Sequence, residues 1–98
     1  MEVEFADDDL DRLETDLHFT AGFAREIVRG FRKAMQLIRA APDERDFYKV
    51  KSLHFEKLEG ARSHQRSIRL NKQWRLILEL EGEAPKKIVR LMCIEDYH

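Results

Sequence analysis

The stretch Ser67-Ile68-Arg69-Leu70-Asn71-Lys72-Gln73-Trp74-Arg75-Leu76-Ile77-Leu78-Glu79-Leu80-Glu81 holds two runs of alternating side chains separated by three turn-forming residues. Alternation with a period of two marks a half-buried β-strand. The first run spans about 65–70, with Ile68 and Leu70 on one side and Ser67 and Arg69 on the other. The second is Trp74–Glu81, with Trp74, Leu76, Leu78 and Leu80 facing one way and Arg75, Ile77 and Glu79 the other. Asn71-Lys72-Gln73 is too short for anything but a tight turn, so the two strands form an antiparallel hairpin. A second turn, at 81–85, leads into a third strand over about 87–94, the apolar run Ile88-Val89-Arg90-Leu91-Met92-Cys93-Ile94.

Upstream the period changes. Val3 and Phe5 alternate with Glu2 and Glu4 and predict a short first strand. Residues 7–15 predict a short acidic helix with Leu10 and Leu13 inside; its first-turn carboxylates suit the helix dipole. Phe23, Ile27, Phe31, Met35 and Ile38 recur at helical spacing and predict a longer helix that starts at a Thr20 N-cap and runs to about Ala41. Pro42 ends it. Gly30 costs that helix about 1 kcal/mol relative to alanine, which points to close packing there. Residues 43–64 are less regular, with one helical turn at 43–47. The expected fold is therefore α+β, in the order β-α-α-β-β-β. Two N-terminal helices cover one face of a small, mainly antiparallel sheet in a single domain over residues 1–98. If Trp74, Leu76 and Leu78 face the helices, Arg69 and Arg75 point to the open face. Parity along the last strand puts Asp96 and His98 on the side of Arg90.

Composition narrows the function. The chain has 98 residues, 43% of them hydrophobic, enough for one modest core. The single cysteine, Cys93, leaves no internal disulfide and no cysteine-based zinc site. It lies in an apolar strand and reads as a packing residue, which suits a reducing cytoplasm. No segment reaches the ~18 apolar residues of a membrane span, and the acidic start lacks the form of a signal peptide. The net charge of −1 conceals segregation: residues 1–16 carry a net −7, and residues 49–75 a net +6. A local basic field binds phosphates whatever the overall charge.

The chain ends Glu95-Asp96-Tyr97-His98 directly after the last strand. Carboxylate, phenol and imidazole together can accept, donate and relay a proton, and His54 lies in the basic stretch upstream. Taken alone, these residues leave two readings open: acid–base chemistry on a phosphate-bearing substrate, or a packed histidine and a polar chain end. No helical His spacing or cysteine cluster suggests a metal, and no Gly-rich phosphate loop or nucleophile motif is present. No cofactor is expected.

Three segments in order, Leu53-His54 followed by Leu58-Glu59-Gly60-Ala61-Arg62, then 67–75, then 95–98, resemble the RelE/ParE toxin superfamily, and most closely its HigB, or plasmid-maintenance killer, branch. The N-terminal half matches only in its strand–helix–helix pattern. Members commonly carry a basic residue where this chain has Glu59; Lys57 stands nearby. The resemblance implies a cytoplasmic toxin that enters the A site of the 70S ribosome and cuts messenger RNA without a metal. It implies a cognate helix-turn-helix antitoxin as partner, contact with operator DNA only through that antitoxin, and no membrane partner. His54, Arg75, Asp96, Tyr97 and His98 are then the expected catalytic residues. His54 works with His98 or Asp96 as the acid–base pair, Tyr97 orients the RNA, and Arg75 stabilises the phosphate. Lys57, Arg62, Arg69 and Lys72 are the expected RNA and ribosome contacts. The rival expectation is a non-nuclease module: a ParE-like inhibitor of DNA gyrase, or a domain that only binds an antitoxin.

Overall fold

The computed structural model describes residues 1–83 and 87–96. Strand β1 (Glu2–Phe5) is followed by α1 (Asp8–Thr15), α2 (Arg25–Ala40) and α3 (Arg45–Lys49). Strands β2 (Glu56–Lys57), β3 (Gln65–Arg69), β4 (Trp74–Glu81) and β5 (Ile88–Asp96) complete the chain. They form one sheet in the order β1-β5-β4-β3-β2. β1 runs parallel to β5; the other pairs are antiparallel. The architecture is the expected α+β layer with one addition. Glu56–Lys57 pairs with β3 as a fifth strand, too short for its alternation to register in the sequence.

α1 begins where its acids predict: the Asp7 carboxylate accepts the backbone N–H of Asp9 at 2.8 Å, a side-chain N-cap. α2 begins later than expected. Ala21 and Gly22 both have positive φ, 53° and 81°, which breaks the right-handed path. Thr20 instead closes that turn, its carbonyl accepting the N–H of Phe23 at 2.9 Å. The N-cap of α2 is Ala24, without a side-chain bond. Phe23 is thus no part of the helical stripe; its ring meets Trp74 edge-on, centroids 5.7 Å apart. At the other end α2 stops at Ala40, and the extended Ala41 precedes Pro42.

The core lies between the helices and the sheet. Leu13, Phe31 and Ile38 meet Ile68, Leu76, Leu78, Val89 and Leu91, all inaccessible to solvent. Gly30 sits where α2 crosses the sheet. A Cβ there would lie 2.8 Å from the Leu70 carbonyl oxygen, so the helix approaches the backbone of the β3–β4 hairpin as only glycine permits.

One irregularity decides which face the chain end presents. Leu78 pairs with Leu91, but Ile77 pairs with Cys93, leaving Met92 unpaired as a β-bulge. The bulge reverses the parity of β5. Arg90, opposite Glu79, is on the open face; Asp96, opposite Trp74, is on the helix face. The expectation that Asp96 shares the side of Arg90 is therefore corrected. Tyr97 and His98, and the last part of the turn expected at 81–85, lie outside the described residues.

Gly30→Ala sets a gain in helix propensity of about 1 kcal/mol against an overlap with backbone that cannot swing away. The overlap wins: the variant should lose about 1–3 kcal/mol, read as a lower urea midpoint. An unchanged or raised midpoint would show that the hairpin yields.

Candidate nucleic-acid interface

The open face of the sheet gathers the basic residues. β3 and β4 pair Arg69 directly with Arg75, and β5 places Glu95 on the far side of Arg75. Like charges opposite one another destabilise a sheet, so each arginine is held by oxygen or nitrogen acceptors. Arg69 Nε donates to the Asn71 carbonyl at 3.1 Å, and its Nη1 lies 3.3 Å from His54 Nε2. Arg75 Nη1 donates to Ser67 Oγ at 3.4 Å, and Ser67 is wholly buried.

His54 follows a 3₁₀ turn, Lys51–Leu53, and adopts the left-handed conformation, φ 45° and ψ 51°. That conformation, unusual outside glycine, turns the imidazole toward β3. An arginine only donates hydrogen bonds, so Nε2 of His54 accepts in this contact only in the tautomer that carries the ring proton on Nδ1. Ser52, His54, Arg69, Leu70, Asn71 and Lys72 surround a cavity of about 380 Å³.

The hairpin turn is braced from both sides. Asn71 Oδ1 accepts the N–H groups of Gln73 and Trp74, both at 2.8 Å, and its Nδ2 donates to Glu26 of α2 at 3.2 Å. Gln73 Nε2 donates to Asp96 Oδ2 at 3.0 Å. The turn residues therefore tie the hairpin to the helix layer and to the end of β5.

Arg62 comes from a second 3₁₀ turn, Gly60–Arg62. Its Nε donates to Gln65 Oε1 at 3.0 Å and its Nη1 to Glu95 Oε2 at 3.0 Å. Gln65 and Glu95 lie on the strands either side of β4, so the guanidinium bridges across the central strand. The Glu95 carboxylate raises the Arg62 pKa above its ordinary value.

The sequence-expected residues thus divide. His54, Arg69 and Lys72 share one cavity, with Arg75 next to Arg69 across the hairpin. Arg62 lies on the same face but is engaged by Glu95. Lys57 pairs with Arg66 rather than with Ser67, which puts it on the helix side of β2. Asp96 is also on the helix side, held by Gln73. Sequence reading missed Ser67, Asn71 and Gln73 as site-building residues; turn-forming types at 71 and 73 were the available signal. Among the described residues no three His, Cys, Asp or Glu side chains gather as metal ligands.

The fold is similar to that of a YoeB/ParE toxin from Agrobacterium tumefaciens (16% identity, TM-score 0.58, all of both chains covered). It is also similar to YafQ from E. coli strain BL21(DE3) (13% identity, TM-score 0.59, 97% of this chain and 91% of that one). The search of curated proteins finds no match. The profile of the HigB-like toxins, RelE-like toxins of type II toxin–antitoxin systems, matches residues 3–98, and the chain belongs to that family. Membership implies an antitoxin partner. Among the described residues no helix is long and apolar enough to cross a membrane.

Cys93 faces the open side opposite Ile77. Burial, and secondarily the Glu95 carboxylate, raise its pKa. Less thiolate is then present at any pH below that value. Alkylation at pH 8 should run roughly tenfold or more slower in the native protein than in guanidinium; equal rates would contradict the burial.

Proposed function

We propose that this toxin is a ribosome-dependent endoribonuclease that cuts messenger RNA in the ribosomal A site by metal-independent acid–base catalysis. The observation that carries the reading is the paired Arg69 and Arg75 with the His54 imidazole 3.3 Å from Arg69 on an uncovered sheet face. Two fixed cations beside a proton-transfer group are what phosphodiester cleavage by an internal hydroxyl requires.

In this mechanism a base takes the proton of the ribose 2′-hydroxyl. The oxygen attacks the adjacent phosphorus, and the bond to the 5′-oxygen breaks as an acid protonates it, leaving a 2′,3′-cyclic phosphate. His54 is one member of the acid–base pair. Of the two partners considered, Asp96 has its carboxylate engaged by Gln73, which favours His98 as the second member. Tyr97 orients the RNA. Arg75 stabilises the extra negative charge on phosphorus; arginine forks match phosphate geometry. Lys57, Arg62, Arg69 and Lys72 serve docking to the ribosome and message, Arg62 by exchanging Glu95 for a phosphate. The same reading supplies the helix-turn-helix antitoxin, operator DNA reached through it, and the cytoplasm as the place of action.

Primer extension on messages translated in vitro tests the reading. Wild-type toxin should produce cuts only in translated message. His54→Ala should lower the cleavage rate by about 10²-fold or more. Deleting Tyr97 and His98 should abolish cutting while leaving antitoxin binding intact. Arg75→Ala should slow single-turnover cleavage by ribosome-bound toxin with little change in ribosome pelleting. Intact messages together with inhibited DNA supercoiling would instead establish a gyrase inhibitor.

A further inference from the structure

The outer side of α2 carries a second basic surface that the proposed chemistry does not use. Arg25, Arg29 and Lys33 follow one another at four-residue spacing, one turn apart on one face. All three are exposed, and none forms a hydrogen bond or ion pair with another described residue. The other cations of the helix layer are committed. Arg39 makes a two-point pair with Glu14 at 2.6 and 2.7 Å. Arg12 pairs with Asp16 at 3.3 Å. Arg32 donates to the carbonyls of Leu13, Asp16 and Phe19, closing the end of α1.

The three free cations stand along a groove of about 650 Å³ between α2 and the chain that follows α1. Val28 is among its lining residues and Leu17 forms part of the rim. Leu17 is 75% exposed, in contrast to Leu10 and Leu13 in the preceding helix, which are buried. An apolar side chain standing in water beside unpaired cations suits an occupant that is part apolar and part anionic.

Two kinds of macromolecule have that chemistry in part, and the neighbouring helix separates them. α1 carries exposed Asp8, Asp9 and Asp11, none of them in an ion pair with a described residue. Arg32 meets the end of α1 and Arg39 its Glu14 and Asp11, so these acids lie beyond the C-terminal end of the basic row along α2. A long polyanion running along α2 meets their repulsion; a short acidic segment confined to the groove does not. Nucleic acid also makes little use of an exposed leucine.

We propose that this groove is the docking site for an acidic, amphipathic segment of the antitoxin, its carboxylates at one-turn spacing pairing with Arg25, Arg29 and Lys33 and an apolar side chain covering Leu17. The proposal rests on membership of a toxin–antitoxin family and is independent of the nuclease reading. The groove belongs to the helix layer, and the His54–Arg69 cavity to the opposite, open side of the sheet.

The test titrates the antitoxin encoded beside the toxin into purified toxin by calorimetry, with circular dichroism confirming that each variant is folded. The triple variant R25E/R29E/K33E should weaken binding by at least about tenfold, since three rim pairs become repulsions, and should flatten its salt dependence. Leu17→Asp should weaken binding without changing that dependence. R25K/R29K should bind within a few-fold of wild type, and His54→Ala should bind as wild type does. Undiminished antitoxin binding by the folded triple variant overturns the proposal, as does absence of binding by wild type. Loss of ribosome pelleting with antitoxin binding retained would overturn it in favour of an RNA surface.

Discussion

The central strand of this toxin is buried on both faces at one residue, and the open side of the molecule is organised around that constraint. Leu76 and Leu78 are closed over by the helices, but Ile77 points the other way and is still inaccessible to solvent. Fully burying such a side chain contributes roughly 1.5–3 kcal/mol, and among the described residues α1 and α2 pack on the other side of the sheet. Ser67 and Cys93 flank Ile77 on the neighbouring strands, and on the same side the Arg62 side chain bridges Gln65 and Glu95 across β4. A long basic side chain can do this because its stem is apolar while its head stays in contact with water and carboxylate. The open face is therefore an apolar spot ringed by polar groups rather than a uniformly wet surface.

That arrangement explains why charges of one sign tolerate close quarters. Arg69 and Arg75 oppose each other across the hairpin. Arg69 is anchored by an imidazole and a carbonyl, while Arg75 donates to the buried Ser67 hydroxyl and has Glu95 as its cross-strand neighbour on β5. These contacts orient the guanidinium groups before any anion arrives. Arg62 differs, because Glu95 neutralises it. The face thus combines pre-oriented guanidinium groups with one, that of Arg62, which must first release a carboxylate. Preorganised charge of the first kind is what makes an electrostatic site effective, since nothing has to reorient when the anion binds.

Much of this was legible in the residues. The alternation over Trp74–Glu81 set the hairpin, the helical spacing of Ile27, Phe31, Met35 and Ile38 set the long helix, and Gly30 marked the close approach to Leu70. The misses share a physical cause. Thr20 has the chemistry of an N-cap, but Ala21 and Gly22 take left-handed turns that no local pattern announces. β2 is two residues long, below the length at which alternation carries information. The bulge at Met92 inserts one residue into an apolar run in which every residue suits a strand, so the sequence bears no mark of it. Neither Asn71 nor Gln73 stood out as a site-building residue, because their partners, Glu26 and Asp96, are distant along the chain.

The bulge also bears on how such chain ends are compared. A β-strand is a two-letter clock, and an extra residue advances it by half a cycle. Every position after Met92 reports its side counted from the bulge, not from the strand's start. Here Glu95 falls in phase with the basic face and Asp96 out of phase with it. In a relative whose last strand runs without an inserted residue, the same pair of letters at the same distance from the preceding turn exchanges sides. Identity of spelling at this terminus is then no guarantee of identity of role; equivalence is established by matching hydrogen-bond partners across β4, residue against residue.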